Sequence, residues 1–336
     1  MSVARLPRGM PTIRDVAKYA QVSVGTASRA LNHQPGLSQP TRERVLHAAQ
    51  HLGYDLDNLR QTKLRRLSFL YHRQHHHLGS NPFYSHVLHG AEEACRQEKI
   101  SLSFSSVGPD DHLPELMRWH EAEGLVCAGY FEPDQLAQIA SLGLPAVLVD
   151  HWRPQFACVN SDNFGGMYLV TEHLLAQGRR RVAFISGALT HFSIAQRQQG
   201  YRHALLSAGL SLDPALEVFR DPLNVEEGTE NAVRRLLALE SPPDAIVAFN
   251  DVTALRTILS LQAAGLRVPD DVAVAGFDDV DAAASALPAL TTVQVDKEAL
   301  GRRGVELLVA RQTQPAQIIL PVTFVARAST GGPAAD

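Results

Sequence analysis

The residues best equipped for chemistry lie in the stretch Ser23-Val24-Gly25-Thr26-Ala27-Ser28-Arg29-Ala30-Leu31-Asn32. A guanidinium such as that of Arg29 can donate two parallel hydrogen bonds to O6 and N7 of guanine, worth roughly 1–3 kcal/mol of discrimination. Hydroxyls and amides like those of Thr12, Ser23, Thr26, Ser28, Asn32, Ser38 and Thr41 suit phosphate oxygens, which fix register rather than read sequence. The competing assignment for each polar side chain is an ordinary solvated helix face. Catalytic spacings are missing: there is no GxxxxGK[ST], GxGxxG, HExxH or GxSxG. His72 and the run His75-His76-His77 have no acidic or cysteine partner at ligand spacing, so they read as a surface loop rather than a metal site. Cys95, Cys127 and Cys158 are odd in number and lack CxxC spacing, which points to buried small hydrophobes and to neither a disulfide framework nor a zinc module. No cofactor is implied.

The elements that must position Arg29 are legible around it. Thr12 is a good helix cap, with Asp15 three residues on and Ile13, Val16, Ala17 and Ala20 following at one-face spacing. Ser23 can cap a second helix whose apolar side is Ala27, Ala30 and Leu31. Beyond a loop with Pro35 and Gly36, Ser38 and Pro40 open a third helix that turns Val45, Leu46, Ala49 and Leu52 inward and stops at Gly53. Three short helices with a tight first turn describe a helix-turn-helix unit. In that geometry the N-terminal residues of the second helix meet base edges in the major groove, which makes Val24, Gly25 and Arg29 the expected base readers.

Charge divides the chain in the same place. Residues 1–66 hold 11 Lys or Arg against 4 Asp or Glu, whereas residues 67–336 hold 20 against 31. A basic head can neutralise phosphates; an acidic body is repelled by them. From Leu67 onward short apolar runs alternate with helical patterns, the signature of a mainly parallel sheet covered by helices. The strand candidates are 67–71, 100–105, 125–128, 146–149, 182–186, 245–249 and 272–276, with a last strand near 318–325. This length exceeds one doubly wound unit, so two lobes with a crevice are expected. An internal echo supports them: Gly143-Leu144-Pro145 leads into a strand and Asp150, and Gly265 with Pro269 leads into a strand and Asp278. Ligands of open α/β sheets bind beyond the carboxyl ends of strands, where both aspartates fall, although a cap or turn role fits each as well.

Thr12 to Tyr54, TIRDVAKYAQVSVGTASRALN and then TRERVLHAAQHLGY, resembles the headpiece of the LacI/GalR family of bacterial repressors. The family's base contacts fall on Val24, Gly25 and Arg29. Relatives continue with a hinge helix whose leucine wedges into the minor groove, but here Asp55 to Leu64 departs from that pattern and about four residues are missing. A wedge is chemically available at Leu59 or Leu64; core packing or a plain tether is the alternative.

The resemblance extends through the body, which is similar to periplasmic sugar-binding proteins. Its motifs are Asn81-Pro82-Phe83-Tyr84, Asp162-Asn163-Phe164-Gly165-Gly166, Arg197-Gln198-Gln199-Gly200-Tyr201, Phe249-Asn250-Asp251, Gly276-Phe277-Asp278-Asp279 and Pro288 to Val293. It implies effector contacts at Phe83, Tyr84, Asp162, Arg197, Asn250 and Asp278, while a further aromatic position falls near Leu223. Trp152 offers another flat apolar face, and the set suits a hydroxylated ligand such as a sugar.

The expected architecture is therefore an all-α helix-turn-helix headpiece (10–54), an atypical short hinge (55–66) and an α/β body (67–330). Its two doubly wound parallel-sheet lobes would take about 67–173 plus 297–323 and about 174–293 plus 324–330. The expected function is non-enzymatic: an effector-controlled transcription regulator, in first place a repressor, bound as a homodimer to a pseudo-palindromic operator. No heptads follow the last strand, so no tetramer-forming helix is expected. The lack of a signal peptide or long apolar run places the protein in the cytoplasm.

Overall fold

The computed structural model describes residues 11–31, 37–54, 64–72, 82–108, 110–221 and 224–331. They belong to two compact units, Met1–Lys63 and Leu64–Asp336.

The described residues of the first unit form three helices, α1 (Ile13–Tyr19), α2 (Val24–Leu31) and α3 (Gln39–Leu52). Its core is small and alanine-rich: Val16, Ala17, Ala20, Ala27, Ala30, Leu31, Val45, Ala48 and Ala49 are buried together, with Ile13, Leu46, Leu52 and Tyr54 packed at the edge. Alanine at the contact lets short helices approach closely while keeping high helix propensity.

The second unit contains two parallel sheets. The larger runs in the order β11-β5-β4-β3-β1-β2, with β1 (Arg66–His72), β2 (Ser101–Val107), β3 (Leu125–Ala128), β4 (Ala146–Val149), β5 (Ala157–Ser161) and β11 (Ala316–Leu320). The smaller runs β7-β6-β8-β9, with β6 (Val182–Ser186), β7 (Glu217–Phe219), β8 (Ala245–Ala248) and β9 (Ala273–Ala275). Helices α4 (Phe83–Gln97), α5 (Leu113–Trp119), α6 (Pro133–Ser141), α7 (Asn163–Ala176), α8 (Phe192–Ser207), α9 (Val225–Leu237), α10 (Asp251–Ala263), α11 (Asp281–Ser285) and α12 (Lys297–Val309) connect the strands. Every residue of β3, β4, β6 and β8 is buried, as expected for parallel strands covered on both faces. β10 (Thr292–Gln294) and β12 (Thr323–Val325) pair antiparallel as a separate ribbon.

Besides the short strands β7 and β10, which were not expected, three features depart from the sequence reading. The stretch 318–325, read as one strand, is two: Pro321, which lacks an N–H, separates β11 in the large sheet from β12 in the ribbon. β5 escaped notice because Asn160 and Ser161 interrupt its apolar run, yet both are buried, and Asn160 Nδ2 donates to the His151 carbonyl at 3.1 Å. His72 does not lie in a surface loop. It ends β1, is fully buried, and its Nε2 lies 3.0 Å from a Glu132 carboxylate oxygen, a partner supplied from across the fold rather than from local sequence.

Candidate functional site

In the first unit the polar side chains divide by position on α2. Val24, Gly25 and Arg29 are exposed, on the side of the helix opposite the buried Ala27, Ala30 and Leu31. Val24 is 44% exposed, unusual for an apolar side chain with a core one turn away. The hydroxyls stand at the helix starts. Ser23 Oγ accepts from Thr26 N–H at 3.1 Å and shares a hydrogen bond with Thr26 Oγ1 at 2.8 Å. Ser38 Oγ lies 2.9 Å from Thr41 Oγ1, and Thr12 donates from both N and Oγ1 to Asp15 Oδ2. Ser23 thus caps α2, and free backbone N–H groups and hydroxyls at a helix start attract anions. Ser28 is half-buried on α2. Asn32 and Leu59 lie outside the described residues. Leu64 belongs to the second unit, where it packs half-buried against the main core, the packing role that stood beside the wedge reading.

In the second unit the carboxyl ends of both sheets meet around one cleft. Its walls are Phe83, Tyr84, Asp150, His191, Ser193, Ile194, Arg197, Phe249, Asn250 and Asp278, enclosing about 40 Å³. That is room for about one water, far below the roughly 300–1,000 Å³ of ligand pockets, so a ligand of any size requires the lobes to part. Two ring pairs hold the lips together: Tyr130 stacks on His191 at 4.8 Å and Trp152 on Phe192 at 6.1 Å, each joining a loop of the larger sheet to the start of α8.

Arg197 organises this cleft. The backbones of α7 and α8 touch so closely at Gly200 that a Cβ there would overlap the Phe164 carbonyl, and this brings Arg197, one turn earlier on α8, against Asn163. Arg197 Nε donates to Asn163 Oδ1 at 2.8 Å, Nη1 to the Phe249 carbonyl at 2.7 Å, and Nη2 lies 3.1 Å from Asp278 Oδ1. The Phe277 ring covers its guanidinium carbon at 3.9 Å, a desolvated cation–π contact. With its donors engaged and only 4% exposure, Arg197 acts as the fixed countercharge of the cleft.

The carboxylates are less satisfied. Asp150 Oδ2 accepts from the Tyr84 hydroxyl at 2.6 Å and lies 3.5 Å from Ser193 Oγ, while its buried Oδ1 has no partner among the described residues. Burial raises the Asp150 pKa, opposed by the Arg197 charge. Asp278 is pushed up to about 6, also chiefly by burial, against the charges of Arg197 and Lys297. Beneath them Asp251 is fully buried; it accepts from Thr292 Oγ1 at 2.5 Å and Val280 N–H at 2.9 Å, and burial together with the Asp278 charge drives it up to about 8. A site of desolvated carboxyl groups with one committed arginine can take hydroxyl hydrogens from a ligand, and Phe83, Tyr84 and Phe249 supply apolar faces beside them.

Of the residues expected at this site, Phe83, Tyr84, Arg197, Asn250 and Asp278 line the cavity. Asn250 also caps α10, accepting from Thr253 N–H at 3.0 Å. Two do not line it. Asp162 caps α7 through a 2.8 Å bond from Gly165 N–H, and Trp152 is 38% exposed at the lip. Asp150, expected at a strand end, also lines the cavity, as do His191, Ser193, Ile194 and Phe249, which were not among the expected effector contacts. For Asp150 the strand-then-aspartate echo with Asp278 was the available signal; His191 and Ser193 reach the cleft only because α8 starts there.

The comparisons agree with both units. Residues 12–56 match the family model described as bacterial regulatory proteins, lacI family, and residues 171–330 match that of a periplasmic binding protein-like domain. The HTH-type transcriptional repressor PurR of Haemophilus influenzae (strain PittEE) is 31% identical, over 90% of this chain and 92% of its own. Among solved structures, a transcriptional regulator CelR–cellobiose complex superposes with a TM-score of 0.73 at 30% identity, covering 95% of this chain and 99% of that one. A lac repressor dimer bound to operator and the anti-inducer ONPF gives 0.70 at 25% identity, covering 96% and 99%. The chain therefore belongs to the lacI family of bacterial regulatory proteins: it is a DNA-binding transcription regulator under small-molecule control, not an enzyme.

Proposed function

We propose that this regulator acts in the cytoplasm as a homodimeric repressor on a pseudo-palindromic operator, and that a saccharide held between the lobes of its body sets operator affinity. Val24, Gly25 and Arg29 read bases, with Arg29 donating to a guanine; Thr12, Ser23, Thr26, Ser28, Asn32, Ser38 and Thr41 hold phosphates. In this reading 10–54 is the headpiece, 55–66 the hinge, and 67–330 the body, with lobes of about 67–173 plus 297–323 and about 174–293 plus 324–330. The exposed Arg29 on the free side of α2 supports the operator half. The lips support the effector half: ring pairs stack across them, and they can part to admit a ligand.

The saccharide assignment rests on one observation, the buried and unpartnered Asp150 Oδ1 beside aromatic faces, which calls for a hydroxyl donor. The relative whose complex holds cellobiose supports it. Phe83, Tyr84, Asp150, Arg197, Asn250 and Asp278 form the site, with Trp152 closing the lip and Asp162 fixing α7 behind it. No described helix is long and apolar enough to cross a membrane. A sugar shifts operator affinity only by as much as it prefers one arrangement of the lobes, about tenfold for each 1.4 kcal/mol. The test is a thermal-shift screen of neutral and acidic mono- and disaccharides on the full chain, each hit titrated into a complex with DNA from upstream of the chain's own gene. Asp278→Asn should abolish the shift; a shift that survives it places the ligand elsewhere.

A further inference from the structure

The smaller sheet reverses its winding at β6, with β7 on one side and β8 on the other. Such a switch point is where open α/β sheets receive ligands, in the crevice beyond the strand ends. Two side chains flank it, each the first residue after its strand: Phe249 after β8 and Arg220 after β7, whose N–H donates to the Ser186 carbonyl at 2.8 Å. Phe249 lines the cavity, and the guanidinium carbon of Arg220 lies 5.3 Å from the centre of its ring.

Arg220 is held there by design of the backbone. The first turn of α9 packs onto it so tightly that a Cβ at Gly228 would stand 2.9 Å from the Asp221 carbonyl and 3.2 Å from Arg220 Cγ. Arg220 is 8% exposed, and its buried Nε and Nη1 have no hydrogen-bond partner among the described residues. Burial lowers its pKa only to about 10, so it carries a full charge near neutral pH. The charge of Asp221, its chain neighbour, opposes that lowering. A buried cation whose donors are unfilled is costly to the fold unless something else fills them. Arg197, by contrast, is buried with Nε and Nη1 hydrogen-bonded and Nη2 3.1 Å from Asp278 Oδ1.

We propose that Arg220 extends the effector site along the ends of β6 and β7, and that the effector carries an oxyanion, a carboxylate or a phosphate, which Arg220 binds. The planar donor set of a guanidinium matches either group. This rests on the saccharide reading and narrows it to acidic sugars: hydroxyls toward Asp150 and the anion toward Arg220.

The test uses the full chain and two matched trios, glucose with glucuronate and glucose 6-phosphate, and galactose with galacturonate and galactose 6-phosphate, measured by calorimetric titration. At least one anionic member should bind about tenfold or more tighter than its neutral parent, and Arg220→Gln should erase that difference; whether the uronate or the phosphate wins identifies the group. A neutral parent that binds as tightly, or a preference that survives Arg220→Gln, overturns the proposal. A second measurement needs no sugar. Arg220→Met keeps the bulk without the charge and should raise the melting temperature, and inorganic phosphate should raise that of the wild type but not of Arg220→Gln. If Arg220→Met melts lower and phosphate shifts both proteins alike, Arg220 is a structural cation and the proposal falls. If all six sugars fail while the phosphate difference holds, the saccharide reading falls and the anion site stands.

Discussion

Arg29 and Arg197 are the same residue type in opposite settings. Arg29 sits exposed on a three-helix unit whose core is little more than alanines, and its donors face solvent. Arg197 is buried to 4% exposure, with Nε and Nη1 hydrogen-bonded and Nη2 against Asp278. An arginine that reads DNA must arrive unpaired, because its hydrogen bonds are what the operator receives. An arginine inside a low-dielectric cleft must be paired beforehand, because an uncompensated charge there destabilises the fold. The headpiece thus keeps its capacity open, while the cleft stores its capacity in internal bonds that a ligand must exchange.

The largest expected effect lies where that storage is most strained. The Asp251 pKa is raised to about 8 from 3.8, so between about pH 4 and 8 the folded state holds a proton that the unfolded chain has lost, and stability falls as pH rises through that window, levelling above it. Asp251→Asn removes the dependence and leaves a fixed penalty from the contacts it cannot reproduce. Chemical denaturation at pH 5, 6, 7 and 8 should show the gap between wild type and variant shifting steadily in the variant's favour; parallel profiles would mean that Asp251 ionises normally. Arg197→Ala comes next, at about 3–5 kcal/mol of lost stability, because Asp278 and Asp150 stay buried without their countercharge. Arg29→Ala should leave the melting temperature unchanged and weaken operator binding by roughly 1–3 kcal/mol at one base position, as read by fluorescence anisotropy on single-base operator variants. If Arg29→Ala destabilises the protein or Arg197→Ala does not, the contrast between the two arginines is broken.

The same contrast explains what could be read in advance. The headpiece is local: caps, a three-and-four spacing of small apolar residues and a short turn set the geometry, so the exposed face with Val24, Gly25 and Arg29 could be told from spacing alone. The uniformly apolar strands were legible for a similar reason. The cleft is assembled from residues far apart in sequence, and there the sequence misleads. Asp150 and Asp162 both follow strands of the larger sheet, yet one turns into the cavity with a positive φ of 57° and the other caps a helix. Nothing in the neighbouring letters separates them. His72 and Glu132 meet only because β1 and the start of α6 lie at the same end of a sheet, and Trp152 is held at the lip by Phe192, a residue on the other lobe.

The smallest effect probes whether the open face of the headpiece is open throughout. Ser23 serves α2 as a cap, accepting from Thr26 N–H, and in the proposed function it also holds a phosphate. Ser23→Ala loses both roles and should cost about 1 kcal/mol of headpiece stability as well as affinity for every operator variant equally. Ser23→Asp separates them. Aspartate caps as well as serine, so stability should return to the wild-type value, but its charge faces the phosphate and binding should weaken further, with the loss shrinking as salt rises and screens the repulsion. If Ser23→Asp instead binds operator like the wild type, Ser23 is only a cap. Its hydroxyl would then belong with the donors of Arg197, spent inside the protein, and the line between open and stored capacity would run through α2 itself.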